Sequence, residues 1–538
     1  MIRSKAFIKK SFIGVIALIS IMACANASDK NKNDTSEMSY SEEKRYRPNF
    51  HFTPEQNWMN DPNGMFYLNG VYHLYFQYYP DDSVWGPMHW GHAVSEDLIQ
   101  WEEKPIAIYP DSLGYIFSGS AVVDHENRSG FGKEGVAPVI AIFTYHDIEK
   151  EKKGAIDFQS QAIAYSNDEG ETWTKYSGNP VIPNTGIKDF RDPKVVWDEK
   201  RDRWVMVLAT YEKTLFYAST NLKEWEFLSS FGEGIGAHGG VWECPDFFPI
   251  NVQNSEEVKW VLLQSLNPGH INGGSGTQYF IGDFDGTTFN LDEKFAQDVK
   301  EDEAIWLDYG RDNYAGVTWS NIPEKDGRTL FIGWMSNWNY AMEVPTNRWR
   351  SSMTLVRELQ LTQTDGSYRL ASIPIKELDT YKRTIIDTAN VRFKGTYLIY
   401  EGSNDVLSKS VIEVKLENQP SERYNFRLSN ENGDTLDFGI DNVNAAFYID
   451  RTNSGLKDFS EKFSNTVSKA LLKSHEDIAT IAFILDKTSL EIFYNGGKTV
   501  MTEIFFPTSS FQRLTLSARN DSEVLLHTLK MSSLDFNN

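Results

Sequence analysis

The chain has 538 residues and carries 75 acidic against 53 basic side chains, a formal net charge of −22. That balance argues against nucleic-acid partners, which demand a basic surface, and makes a neutral substrate the natural expectation. Cys24 and Cys244 are its two cysteines, so no disulfide framework is available and a packed core must hold the fold.

Arg3, Lys5, Lys9 and Lys10 precede an apolar run over residues 12–22. It is too short to span a membrane comfortably and is built like a secretory signal. The run ends Ile21-Met22-Ala23-Cys24, and a Cys directly after a small residue resembles a bacterial lipobox. This reading gives a lipoprotein-type signal over residues 1–24, with a lipid on Cys24 as the only membrane attachment. Ordinary cleavage after Ala25 or Ala27 is the alternative. Residues 25–45 contain almost no apolar side chains and are predicted to be a flexible tether.

Next comes Trp58-Met59-Asn60-Asp61-Pro62-Asn63-Gly64, which reads as a tight turn with a carboxylate at its apex. Phe190-Arg191-Asp192-Pro193 and Trp242-Glu243-Cys244-Pro245-Asp246 repeat the theme of an acidic residue close before Pro. Three such sites suggest convergent carboxylates, the equipment of a glycosidase. The sequence shows no Walker-type Gly loop, no zinc spacing of His and Cys and no Asp-rich calcium loop, so neither cofactor nor metal is expected. His89, His92 and His238 lack a metal-ligand pattern and are assigned to packing and turns.

All 15 Trp lie between Trp58 and Trp349, so the two parts of the chain are built differently. Through the Trp-rich part runs a loose repeat. Ser95-Glu96-Asp97-Leu98-Ile99-Gln100-Trp101 recurs at residues 166–173, 219–225 and 282–289, each time after a short apolar strand. The aromatic ends are 72, 52 and 64 residues apart. Short strands, turns and this period predict an all-β fold beginning with a five-bladed β-propeller over residues 46–365. A linker is predicted over 366–385. Clean alternation then begins, as in Val411-Ile412-Glu413-Val414-Lys415-Leu416, and Asn495-Gly496-Gly497 signals a hairpin. A β-sandwich is therefore predicted over 386–538.

In their order, these motifs together with Phe117-Ser118-Gly119-Ser120 closely resemble glycoside hydrolase family 32, the β-fructosidases, from about Arg45 onward. The resemblance implies a propeller followed by a sandwich. It implies Asp61 as nucleophile, Glu243 as acid/base and Asp192 as transition-state stabiliser. It also implies that Trp58, Asn60, Gln77, Trp85, Phe117, Ser118 and Arg191 bind the terminal fructose, with Trp334 as a further wall. Period-two alternation independently makes Gln77 a buried amide. The expected activity is exo-acting retaining hydrolysis of fructans, levan or inulin, with sucrose as a secondary substrate. A dedicated invertase and a non-catalytic glycan-binding surface lipoprotein are the alternatives.

Overall fold

The computed structural model describes residues 45–133, 135–364, 366–402, 406–519 and 522–536. The signal, Cys24 and all of the tether but its last residue lie outside the described residues. The chain divides into a unit of residues 1–47 and a unit of residues 48–538, and the second holds every strand found among the described residues.

Five sheets open that unit, each led by the strand that comes first in the chain: Asn57–Leu68, Tyr115–Val123, Arg191–Asp198, Val241–Asn251 and Tyr314–Thr318. These five leading strands pack against their neighbours in a closed ring, so each sheet is one blade of a propeller. Closure is local and specific. Trp349–Arg350, from the connection between the second and third strands of blade 5, pairs parallel with Asn57 and Trp58 at the start of blade 1. Ser320 of blade 5 also exchanges backbone hydrogen bonds with Met65 and Tyr67 of blade 1, each at 3.1 Å.

The sequence repeat has a mechanical meaning. In blades 1 to 4 it joins the third strand to the fourth, and its Ser or Asx side chain closes the turn. Ser95 Oγ accepts from Leu98 N and Ser219 Oγ from Leu222 N, both at 2.8 Å. Asp285 Oδ1 accepts from the Thr287 and Thr288 amides, also at 2.8 Å. Side chains of this kind mimic a backbone turn, which is why such different blades share the motif.

The fifth blade ends on Ser367–Pro374, paired in register with Arg357–Thr364. The next strand, Lys382–Phe393, already belongs to the second region. The stretch 366–385, expected as a linker, is therefore mostly strand, and the crossing is a short 3-10 turn at Lys376–Tyr381. Both strands lie at sheet edges, Ser367–Pro374 largely buried and Lys382–Phe393 largely exposed, and neither shows the clean alternation of the strands that follow.

Two six-stranded sheets make up the C-terminal region. Ile412, Val414 and Leu416 are at most 1% exposed, so the predicted alternation faces the shared core. Asn495 (φ 49°) and Gly496 (φ 69°) close the hairpin between Ser489–Tyr494 and Thr499–Ile504. Buried charges tie the sandwich to the propeller. Arg357 of blade 5 donates to Glu491 of the sandwich and to Asp308, both at 3.0 Å. His51 bridges Glu491 at 2.7 Å and Asp486 at 2.9 Å.

Candidate active site

The motif Trp58 to Gly64 is not a tight turn. It lies within the leading strand of blade 1, and the carboxylate is presented by a β-bulge. Met59 pairs with Tyr78 and Pro62 with Phe76, so Asn60 and Asp61 together oppose the single residue Gln77. The same two-against-one step occurs once near the start of every leading strand. Phe117 and Ser118 oppose Thr144, Asp192 and Pro193 oppose Leu208, Cys244 and Pro245 oppose Gln264, and Ala315 and Gly316 oppose Gly333.

A bulge breaks the ladder and re-aims side chains, and five of them at one level aim at one point. This also explains the recurring Pro. It lacks an N–H, so it fits where the ladder is already broken. Asp192, Cys244 and Ala315 take positive φ of 62°, 44° and 53°, a conformation non-glycine residues adopt at a cost of about 1–3 kcal/mol each. Gly64 (φ 60°) follows the first bulge, and a Cβ there would meet the Trp90 ring at 2.5 Å.

Asp61 receives three side-chain donors. Asn60 Nδ2 donates to Oδ1 at 3.0 Å, and Ser118 Oγ and the Cys244 thiol donate to Oδ2 at 2.7 and 3.4 Å. Asn60 is itself oriented by Trp58 Nε1, which donates to its Oδ1 at 2.8 Å. Asp192 Oδ2 accepts from the Cys244 amide at 2.9 Å, and the Asp192 amide donates to Thr144 Oγ1 at 3.0 Å. Glu243 is gripped from two sides. Arg191 Nη2 donates to Oε1 at 2.9 Å and the Tyr314 hydroxyl donates to Oε2. Arg191 therefore serves Glu243 and Asp189, both at 2.9 Å, and only approaches its neighbour Asp192, at 3.9 Å.

The electrostatics follow from three carboxylates sharing one guanidinium. Burial pushes the Asp61 carboxyl up; the Ser118 hydrogen bond opposes this and the charge of Glu243 adds to it. Burial pushes Asp192 up to about 7, against the pull of Arg191. Burial also pushes the Cys244 thiol up, so it stays protonated and donates to Asp61. A pocket with buried carboxylates is suited to a transition state that develops positive charge.

Asn60, Asp61, Gln77, Trp85, Phe117, Ser118, Arg191, Asp192 and Glu243 line one cavity of about 320 Å³. Gln77 is 2% exposed and its amide nitrogen has no hydrogen-bond partner among the described residues. Trp58 and Trp334 are fully buried and stand behind the wall, where Trp334 Nε1 donates to Met59 O at 3.1 Å. The wall position expected of Trp334 belongs to Trp338, in the turn beyond the strand. Sequence reasoning also missed Tyr314, Asp189, His146 and Glu151. Asp189 stands two residues before Arg191 and could have been suspected, whereas Tyr314 precedes a bulge marked only by Ala and Gly.

Residues 51–374 match the family model described as glycosyl hydrolases family 32 N-terminal domain, and residues 380–533 match that of the family 32 C terminal. A levanase of Bacillus subtilis is 44% identical over 528 residues, covering 97% of this chain and 75% of that protein. An extracellular exo-inulinase of Aspergillus awamori is 37% identical, covering 92% of this chain and 96% of that protein. The crystal structure of exo-inulinase from Aspergillus awamori superposes with a TM-score of 0.81 at 33% identity, covering 91% of this chain and 98% of that one. A fructofuranosidase of Schwanniomyces occidentalis complexed with fructosylnystose gives a TM-score of 0.81 at 32% identity, covering 92% and 98%. With the two family models matching residues 51–374 and 380–533 and the carboxylates converging on one cavity, the chain belongs to glycoside hydrolase family 32.

Proposed function

We propose that the protein is an exo-acting, retaining β-fructosidase that releases fructose from the ends of fructans, and from sucrose as a secondary substrate. The observation that carries this reading is the convergence of Asp61, Asp192 and Glu243 at three of the five bulges, with three donors holding Asp61 alone. A nucleophile needs such orientation. Asp61 attacks C2 of the terminal fructofuranosyl unit, the C2–O bond breaks, and the departing oxygen takes the proton of Glu243. Glu243 then removes a proton from water, which attacks C2, frees fructose and restores the Asp61 carboxylate. Asp192 transfers no proton. Its carboxylate faces the positive charge that develops at C2 and the ring oxygen, and Arg191 fixes Glu243 between donations.

The levanase and exo-inulinase relatives support a polymer as substrate. The test is product analysis with purified protein on levan, inulin and sucrose. Fructose as the sole early product from a polymer is expected. A ladder of oligosaccharides refutes exo action, turnover of sucrose alone favours the invertase, and no turnover favours the lectin-like lipoprotein.

We further propose that the protein is exported and anchored through a lipid on Cys24. Extracellular relatives support export. Cys24→Ala should abolish lipid labelling and release the protein from membranes, and unchanged fractionation would refute the anchor.

A further inference from the structure

Residues 147–158 connect the second and third strands of blade 2 and carry the short helix Ile148–Lys152. Asp147 caps it by accepting from the Glu149 and Lys150 amides, and Lys150 pairs with Asp157 at 3.2 Å. The connection brings Glu151 to the catalytic cavity, where no step of the mechanism uses it.

A directional chain of hydrogen bonds fixes this carboxylate. Arg191 Nη1 donates to Gln159 Oε1 at 3.4 Å, so the amide nitrogen of Gln159 is the atom that meets His146 Nδ1 at 3.3 Å. His146 Nδ1 must then accept, which leaves its proton on Nε2 to be donated to Glu151 Oε2 at 3.1 Å. The imidazole cannot swing away, because it stacks on the Phe117 ring with centroids 4.2 Å apart and planes 9° from parallel. Oε1 of Glu151 has no protein donor among the described residues.

Depth distinguishes Glu151 from the polar groups at the bottom of the cavity. Asn60, Gln77, Ser118 and Asp192 are 2–6% exposed and hold the floor, whereas the Glu151 side chain is 45% exposed at the mouth. A fructosyl unit that presents C2 to Asp61 occupies the floor, so a group at the mouth meets the unit attached to it. A fixed carboxylate oxygen without a donor suits sugar hydroxyls.

We propose that Glu151 is a specificity-determining residue that binds hydroxyl groups of the leaving-group sugar, the unit next to the terminal fructosyl. This rests on the proposed β-fructosidase reading. Glu151 then contributes to turnover of sugar aglycones and contributes nothing toward an aglycone without hydroxyls.

The test compares Glu151→Gln and Glu151→Ala with the parent on inulin, levan and sucrose, and on nitrophenyl β-fructofuranoside. A hydrogen bond to a charged acceptor predicts a fall of about ten- to a hundredfold in kcat/KM on the sugar substrates for Glu151→Ala. The nitrophenyl substrate should lose less than about twofold, inhibition by free fructose should be unchanged, and so should the melting temperature. An equal loss on the nitrophenyl fructoside, or weaker inhibition by fructose, would place Glu151 on the terminal unit and overturn the proposal. No loss on any substrate would overturn it as well. Failure of the underlying reading is separate and comes first, since the parent would then release no fructose from any of the four.

Discussion

Replacing Asp192 with Asn should make the folded protein more stable while destroying its activity. Burial pushes the folded Asp192 carboxyl up to about 7, against the pull of Arg191 and with the help of Asp61 and Glu243. In the unfolded chain it titrates at about 3.9. Between these values the folded state holds a proton that the unfolded state has lost. The stability this proton brings is complete below about pH 4 and disappears as pH rises through 7. Three units of difference correspond to about 4 kcal/mol of burden carried by the ionised form. An amide still accepts from the Cys244 N–H at 2.9 Å but gives up the 3.9 Å approach to Arg191, so the net gain at pH 8 is about 2–3 kcal/mol. At about 2.1 cal/mol/K per residue, a unit of about 490 residues has an unfolding entropy near 1 kcal/mol/K, so the melting temperature should rise by roughly 2–3 °C. Scanning calorimetry on both proteins from pH 5 to pH 8 measures this, and the gap should widen with pH. Turnover should fall by roughly 10²–10³-fold or more, because a fixed charge facing the transition state is lost. A variant no more stable than its parent at pH 8, or a gap that ignores pH, would refute the electrostatic account.

Asp61→Asn should collapse turnover on every substrate, since no covalent intermediate can form. Glu243→Gln should lose far more on levan than on a nitrophenyl fructoside, with azide partly rescuing the latter, and near-normal levan turnover by Glu243→Gln would move the acid/base role elsewhere. At the junction with the sandwich, burial works against the charge of His51, but hydrogen bonds to Asp486 and Glu491 win and raise it to about 9. Its contribution is therefore whole below about 6.5 and lost as pH rises through 9. Melting temperatures of His51→Gln should be lower than the parent's at pH 6 and converge with them by pH 10, and a constant difference would count against the ion pair. Arg357→Met leaves Glu491 and Asp308 buried without their shared cation and should cost about 3–5 kcal/mol, read as a lower melting temperature.

Local chemistry made much of the molecule legible from residues alone. The Ser/Asx repeat announced the blades because its side chains close their own turns, a property that needs no tertiary partner. Period-two alternation announced the sandwich because each strand must bury one face, as Ile412, Val414 and Leu416 do. Asp61, Asp192 and Glu243 stood out because Pro lies one or two positions after each. The Pro beside Asp61 marks a bulge in a strand and not the tight turn expected of Trp58 to Gly64.

What the tertiary structure alone decided is which groups meet. No spacing in the chain relates Arg191 to Glu243, 52 residues apart, or Tyr314 to the same carboxylate, 71 residues away. Trp334 and Trp338 are four residues apart in one motif, yet one is sealed behind the wall and the other lines the cavity. Helical or strand periodicity cannot separate them, because the chain leaves the strand at Met335. The physical reason is the ring itself. Each blade folds by local rules that the sequence writes openly, while the cavity exists only where five bulged strands from distant parts of the chain arrive at one level.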